Sequence, residues 1–195
     1  MARVAVVFHS GYGHTAAIAE RIARGASGVA GLRVSLIAAA ELGGPVDGKL
    51  GGRWDELHAA DGILFGCPTY MGSVSAELKR VFECTGKVWS GQLWRDKLAG
   101  GFTNGSATSG DKLGALQGIF VFAMQHGMIW VSQGIIQTGH GEGDLNRMGS
   151  SMGLMAQSRD ASPEVTPPQG DRRTAELFGA RFAEVTLRMV RGRLG

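Results

Sequence analysis

Ser10-Gly11-Tyr12-Gly13-His14-Thr15 places two hydroxyls and two glycines directly after an apolar run and directly before a helical pattern. Glycines leave backbone N–H groups uncovered, and a helix start adds the positive end of its dipole. A phosphate can be held there without a charged side chain. The stretch has no lysine of the GxxxxGK[ST] kind, and Ala16 and Ala17 follow where GxGxxG would continue. No acidic residue closes the second apolar run to hold a ribose; Ala38, Ala39 and Ala40 stand there. The nucleoside-triphosphate and dinucleotide readings weaken together. What remains is a phosphate monoester held by Ser10, Thr15, backbone N–H groups and the helix end, or else a hydroxyl-capped helix with no ligand.

Two more polar loops follow apolar runs. Cys67 precedes Pro68-Thr69-Tyr70-Met71-Gly72, and Ser73 supplies a hydroxyl ahead of the next helix. Thr103-Asn104-Gly105-Ser106-Ala107-Thr108 holds almost only small and hydroxyl residues. The elements that must position these loops alternate. Strands are expected at residues 4–8, 32–38, 62–66, 98–102 (weakened by Gly100 and Gly101) and 128–132. Helices carry Ile18, Ile22 and Ala26; then Val74, Leu78, Val81 and Phe82; then Leu113, Leu116, Phe120 and Ala123; and last Phe178, Phe182, Val185 and Met189 over about 171–191. Residues 54–60 read as a short helical turn, 86–97 as a loop with Trp89 and Trp94, and 133–169 as a long loop. The alternation predicts an α/β fold with a parallel sheet and helices on both faces. In the order 2-1-3-4-5, strands one, three and four are neighbours, so one ligand beyond their carboxyl ends touches all three loops.

The composition frames this. The 195 residues suit a single domain, residues 1–195, and 44% hydrophobic with 19% charged content suits an ordinary globular chain. The net charge is +3, with Arg172, Arg173, Arg181, Arg188, Arg191 and Arg193 near the end. No aromatic–basic interleaving, zinc spacing or recognition helix accompanies them, so a solvated helix face is expected and no nucleic acid. Cys67 and Cys84 form neither CxxC nor a metal spacing, and a reducing compartment fits. The chain opens on a strand, which implies no signal peptide and a cytoplasmic protein. The longest apolar stretch, 119–136, is broken by Gln125, His126 and Gly127, so no membrane span is expected. His140, Glu142 and Asp144 lie in a glycine-rich loop with no second cluster, and no metal is expected.

SGYGHT after the first strand, PTYMGSVS after the third, the aromatic segment GKVWSG, and QHGM before the fifth resemble the tryptophan-repressor-binding-protein type of NAD(P)H:quinone oxidoreductase. The resemblance covers about residues 2 to 145 and the closing helix. It implies a flavodoxin-like three-layer sandwich, FMN as cofactor, NAD(P)H as reductant and a quinone or other small aromatic acceptor. Residues 10–15 resemble the FMN-phosphate loop, with Tyr12 also near the nicotinamide nucleotide. Residues 68–72 resemble the loop flanking the isoalloxazine, and Thr103 to Thr108 the third flavin loop. Trp89 matches a tryptophan at the substrate face, and His126 a histidine at the flavin's active side, where it would hydrogen-bond the pyrimidine end. The third loop departs from the family's more glycine-rich run, and residues 148–162 match its late loop only loosely. The resemblance also implies a homodimer or homotetramer. The alternatives are an FMN reductase or azoreductase-like enzyme, and a flavodoxin-type electron carrier. Carriers are usually acidic, and a pI near 9.1 argues against one.

Overall fold

The computed structural model describes residues 1–192. Arg193 of the basic C-terminal cluster lies outside the described residues. Among these residues six strands form one parallel sheet: β1 (Ala2–Phe8), β2 (Leu32–Ala38), β3 (Gly62–Pro68), β4 (Leu98–Gly105), β5 (Ile129–Trp130) and β6 (Leu154–Gln157). The order is β2-β1-β3-β4-β5, with β6 also paired to β4. In β1, Val4 sits between Val34 and Gly62, which fixes the register of the central three strands.

β6 departs from the sequence reading, which ran the fifth strand to Ser132 and left residues 133–169 without regular structure. β5 holds β4 only at Leu98 and Ala99, and β6 then takes Phe102 to Gly105. The two pieces form one edge strand interrupted by residues 131–153. The Trp130 indole N–H donates to the Met152 carbonyl at 2.8 Å and ties the exit to the return. Four residues between a Gly/Ser run and a polar run are too short to show a period.

The helices are α1 (His14–Ser27), α2 (Trp54–Ala59), α3 (Ala76–Cys84), α4 (Gly86–Ser90), α5 (Lys112–Gln125) and α6 (Gln169–Gly192). Alternate residues of β1 serve opposite faces, as strand geometry requires. Val4 and Val6 join a core with Ile18, Ile22, Phe178 and Phe182 of α1 and α6. Ala5 and Val7 join one with Leu57, Leu78, Phe82 and Phe122 of α2, α3 and α5. Three local expectations change. α5 buries Ala115, Leu116, Ile119, Phe122 and Ala123, while Leu113 is exposed and Phe120 only half-buried. That helix is apolar on nearly every side, so its pattern does not choose a face. Residues 86–90 are helical, and Trp94 is buried while Trp89 is half exposed. Ser75, not Ser73, starts α3, and its hydroxyl meets His9 Nδ1 at 2.8 Å rather than capping the helix.

α1 and α6 cross at two glycines. A Cβ on Gly179 would fall on the Ile22 carbonyl, and one on Gly25 on the Glu176 carbonyl. Arg21 pairs with Glu176 at 2.9 Å beside the crossing. Alanine is the better helix former by about 1 kcal/mol. Overpacking against backbone that cannot yield costs about 1–3 kcal/mol or more. Gly179→Ala should therefore lower the thermal unfolding midpoint. A midpoint above wild type would mean that the two helices are free to part.

Candidate functional site

The carboxyl ends of β1, β3 and β4 open on a cleft of about 430 Å³, a volume typical of small-molecule sites. The first loop contributes Ser10, Gly11, Tyr12, His14 and Thr15; the second Pro68, Thr69 and Tyr70; the third Asn104, Gly105 and Ser106. The three loops do converge.

Beyond the three loops, Ser158, Arg159, Asp160 and Ala161 form a fourth wall. It follows from β6, whose carboxyl end lies beside that of β4 and so reaches the same rim. The available signal was the polar stretch from Ser158 to Ser162 after the apolar Leu154 and Ala156, unreadable without the strand. His14 Nε2 lies 2.8 Å from the Ala161 carbonyl and closes the rim, and the Asn104 amide meets the Ser158 hydroxyl at 2.8 Å.

The polarity of the first loop decides between its two readings. α1 starts from Gly13 in the left-handed region at φ 88, with no side-chain cap and no acidic residue in the first turn. Its first intrahelical bond runs from the Ala17 N–H to the Gly13 carbonyl at 2.9 Å. The N–H groups ahead of Ala17 are thus not answered by a capping side chain. Ser10 Oγ is buried and has no hydrogen-bond partner. A hydroxyl-capped helix is therefore not what the sequence builds. An uncapped helix end beside an orphaned hydroxyl is the polarity that a phosphate monoester completes.

Several expected cofactor residues do other work. Gly13 is covered by Pro163. Met71 is fully exposed at φ 48 and Gly72 stands behind it at φ 73; the two form the tip of a turn closed by Tyr70 and Ser73. Thr103 is buried, donates its hydroxyl to the Cys67 carbonyl at 2.8 Å and meets the Thr69 hydroxyl at 2.7 Å. It ties β4 to β3 instead of facing the cleft. Ala107 and Thr108 lie past the cleft, and their carbonyls accept from Lys112. Burial pushes the Cys67 thiol up to about 11, which makes it a packing group.

Trp89 and His126 come together, but not with these loops. They line a second cleft of about 530 Å³ with Val74, Phe82, Val121 and Phe122. The two clefts share the loop between β3 and α3: Thr69 and Tyr70 line the first, Ser73 and Val74 the second. Within one chain, His126 therefore stands apart from the three loops of the first cleft. It is buried between Trp94 and Phe122, with ring centroids 5.0 and 4.7 Å away. Thr85 donates its hydroxyl to the Phe82 carbonyl at 2.6 Å and lies 3.0 Å from His126 Nε2. With the hydroxyl proton so used, Nε2 carries the hydrogen and donates to Thr85. Nδ1 is then a bare acceptor, buried and unpartnered. Burial pushes the imidazole down to about 4, so the ring is neutral at pH 7 and offers no cation to the end of α5.

Comparison with known proteins agrees with this geometry. Residues 9–143 match the model of the NADPH-dependent FMN reductase family. The chain is 37% identical over 188 residues to flavodoxin FldP of Pseudomonas aeruginosa, covering 95% of this chain and 97% of that one. It is 30% identical over 199 residues to an NAD(P)H dehydrogenase (quinone) of Archaeoglobus fulgidus, covering 95% and 97%. Among solved structures, a flavodoxin, WrbA-like protein from Agrobacterium tumefaciens superposes with a TM-score of 0.73 at 38% identity, over 96% of this chain and 99% of that one. A parallel sheet in the order 2-1-3-4-5, an uncapped, lysine-free helix start after its first strand and a family match spanning that loop lead to one assignment: the chain belongs to the NADPH-dependent FMN reductase family.

Proposed function

We propose that the protein is an FMN-dependent oxidoreductase that passes two electrons from NAD(P)H to quinones. The observation that carries this reading is the cleft at β1, β3 and β4, with an uncapped helix start and the unpartnered Ser10 hydroxyl at one end. When bound, FMN supplies the redox chemistry, accepting a hydride from one partner and giving two electrons to the next. The chain supplies position and polarity. Ser10, Thr15 and the first N–H groups of α1 take the phosphate. Thr69 and Tyr70 wall the middle of the cleft, and Asn104, Gly105 and Ser106 face its far end. Adjacent strands lie about 4.8 Å apart, so β4 puts the third loop roughly 10 Å from the phosphate loop. The third loop thus meets the ring and not the phosphate. The half-exposed Trp89 ring and the neutral His126 suit a planar aromatic acceptor in the neighbouring cleft.

The free thiols Cys67 and Cys84 fit a reducing compartment. Among the described residues no helix is long and apolar enough to cross a membrane. The exposed apolar side chains of Trp89, Leu93, Val121 and Met124 support a homodimer or homotetramer.

A carrier without turnover is the second reading, favoured by the relative named flavodoxin at 37% identity. One experiment separates the two. FMN added to the purified chain should give the visible bands of a bound flavin, and NADH or NADPH should bleach them within the mixing time of a steady-state assay. Benzoquinone should then restore them over many cycles. A chain that binds FMN but is bleached only by dithionite is a carrier. One that binds no FMN overturns both readings.

A further inference from the structure

The third loop is held through five consecutive carbonyls. Asn104 O accepts from the Thr69 N–H at 2.8 Å, and Gly105 O from the Ser158 N–H at 3.2 Å. Ser106 O accepts from Gln157 Nε2 at 2.9 Å. Ala107 O accepts from Lys112 Nζ, and Thr108 O accepts from the same ammonium at 3.1 Å. A planar trans peptide points each N–H opposite to the preceding carbonyl. The N–H groups of Ser106 and Ala107 are thereby turned away from Ser158 and Gln157, and those of Thr108 and Ser109 away from Lys112, and among the described residues no hydrogen bond occupies them.

Lys112 is an unusual group to find there. It opens α5, its side chain runs beneath Gly105, and it is only 1% exposed. Burying a lysine costs free energy that a neutral residue would not incur. The charged groups facing it are Asp171 of α6 and Arg147 of the 131–153 segment. Arg147 grips Asp171 through two bonds, Nε to Oδ1 at 2.8 Å and Nη2 to Oδ2 at 3.1 Å, so that pair is closed on itself. With those two charges cancelling, the ammonium is left as a net positive charge behind the loop.

We infer that Lys112 is a positioning residue for the flavin ring: its ammonium anchors the Ala107–Thr108 end of the third loop and lies beneath Gly105 at the cleft wall, and so sets the affinity and midpoint potential of the ring bound against that loop. This rests on the FMN reading above. Burial also pushes Lys112 down to about 8, with Asp171 opposing that and Arg147 adding to it. The proton leaves within an accessible range, which gives a readout in the unaltered protein.

The test is to measure dissociation constants for FMN and for riboflavin, and the midpoint potential of bound FMN, in wild type, Lys112→Met and Lys112→Gln. Lys112→Met should weaken both ligands by the same factor, about tenfold, because a charge-assisted contact is lost behind the ring and not at the phosphate. It should also make the midpoint potential more negative, since a nearby positive charge favours the electron-rich form. Lys112→Gln, which keeps a donor but no charge, should recover part of the affinity and none of the potential. In wild type, FMN affinity should fall as pH rises through about 8, and this limb should vanish in Lys112→Gln. The stability of the free protein should move the other way over that window: the unfolded lysine keeps its proton to its ordinary 10.5, so folding is favoured as pH rises from about 8. A purely structural role would move stability alone. Unchanged affinities and potential in a folded variant overturn the inference, as does a pH limb that persists in Lys112→Gln. If Lys112→Met does not fold, Lys112→Gln and the wild-type pH profile decide. Wild type that binds neither flavin refutes the FMN reading itself, a result distinct from all of these.

Discussion

Asp171→Ala should cost about 3–5 kcal/mol of stability, read as a drop in the urea midpoint with an unchanged slope. Asp171 is 2% exposed and accepts both bonds of the Arg147 fork, and its Oδ2 also accepts the Gln157 N–H at 2.8 Å. It stands in the first turn of α6, where the helix dipole favours a carboxylate. Burial pushes its carboxyl up, while the Arg147 fork and the Gln157 N–H work against that. Removing the carboxylate leaves a guanidinium buried with one remaining contact, to Gln157 Oε1 at 3.1 Å. The penalty of that uncompensated charge exceeds the net worth of the pair. The double variant Arg147→Met/Asp171→Leu should therefore regain most of the loss. A double variant no better than Asp171→Ala would show that the damage lies in shape and not in charge. Loss of FMN affinity should accompany Asp171→Ala, because Gln157 also holds the third loop through Ser106.

That network also marks where the sequence stops being readable. The alternation of the central strands and helices and the three polar loops at the strand ends follow from local signals: an apolar run, then small and hydroxyl residues, then a helical period. Each signal is carried by neighbours in sequence. The Arg147–Asp171–Gln157 cluster joins a loop residue, a helix start and a four-residue strand, and none of these has a pattern of its own. Its members read as surface polar residues until the fold brings them together. β6 is hidden in the sequence for the same reason, and with it the wall formed by Ser158 to Ala161. Thr103 shows the converse error. A hydroxyl in a loop of hydroxyls looks like a ligand, yet its proton is used by the Cys67 carbonyl. His126 shows a different limit. Its match to a known motif was sound as a resemblance, but the position of a motif residue relative to the cleft depends on where α5 ends, and within one chain it ends in the neighbouring cleft.

Ser10→Asp should abolish FMN binding while sparing riboflavin. The Ser10 hydroxyl is buried at the cleft wall without a partner, among Gly11, His14 and Thr15. If the phosphate sits there, a carboxylate in its place meets a dianion at short range. Two like charges about 4 Å apart repel by about 4 kcal/mol at the dielectric of a partly wetted site. Even half of that lowers affinity roughly thirtyfold, and the second phosphate charge carries the loss beyond a hundredfold. Riboflavin lacks the phosphate and so escapes the repulsion, and its dissociation constant should change by less than about threefold. The free protein should still fold, because an acid near an uncapped helix start gains about 0.3–1 kcal/mol from the dipole, which offsets part of the cost of burying it. The pattern is therefore specific: FMN lost, riboflavin kept, a cooperative melt retained. Fluorescence titration with both flavins and one thermal melt give all three values. Equal weakening of FMN and riboflavin would place the phosphate elsewhere and make the first loop a wall for the ring. Unchanged FMN affinity would remove the first loop from the site altogether, and with it the argument that the uncapped start of α1 is held open for an anion.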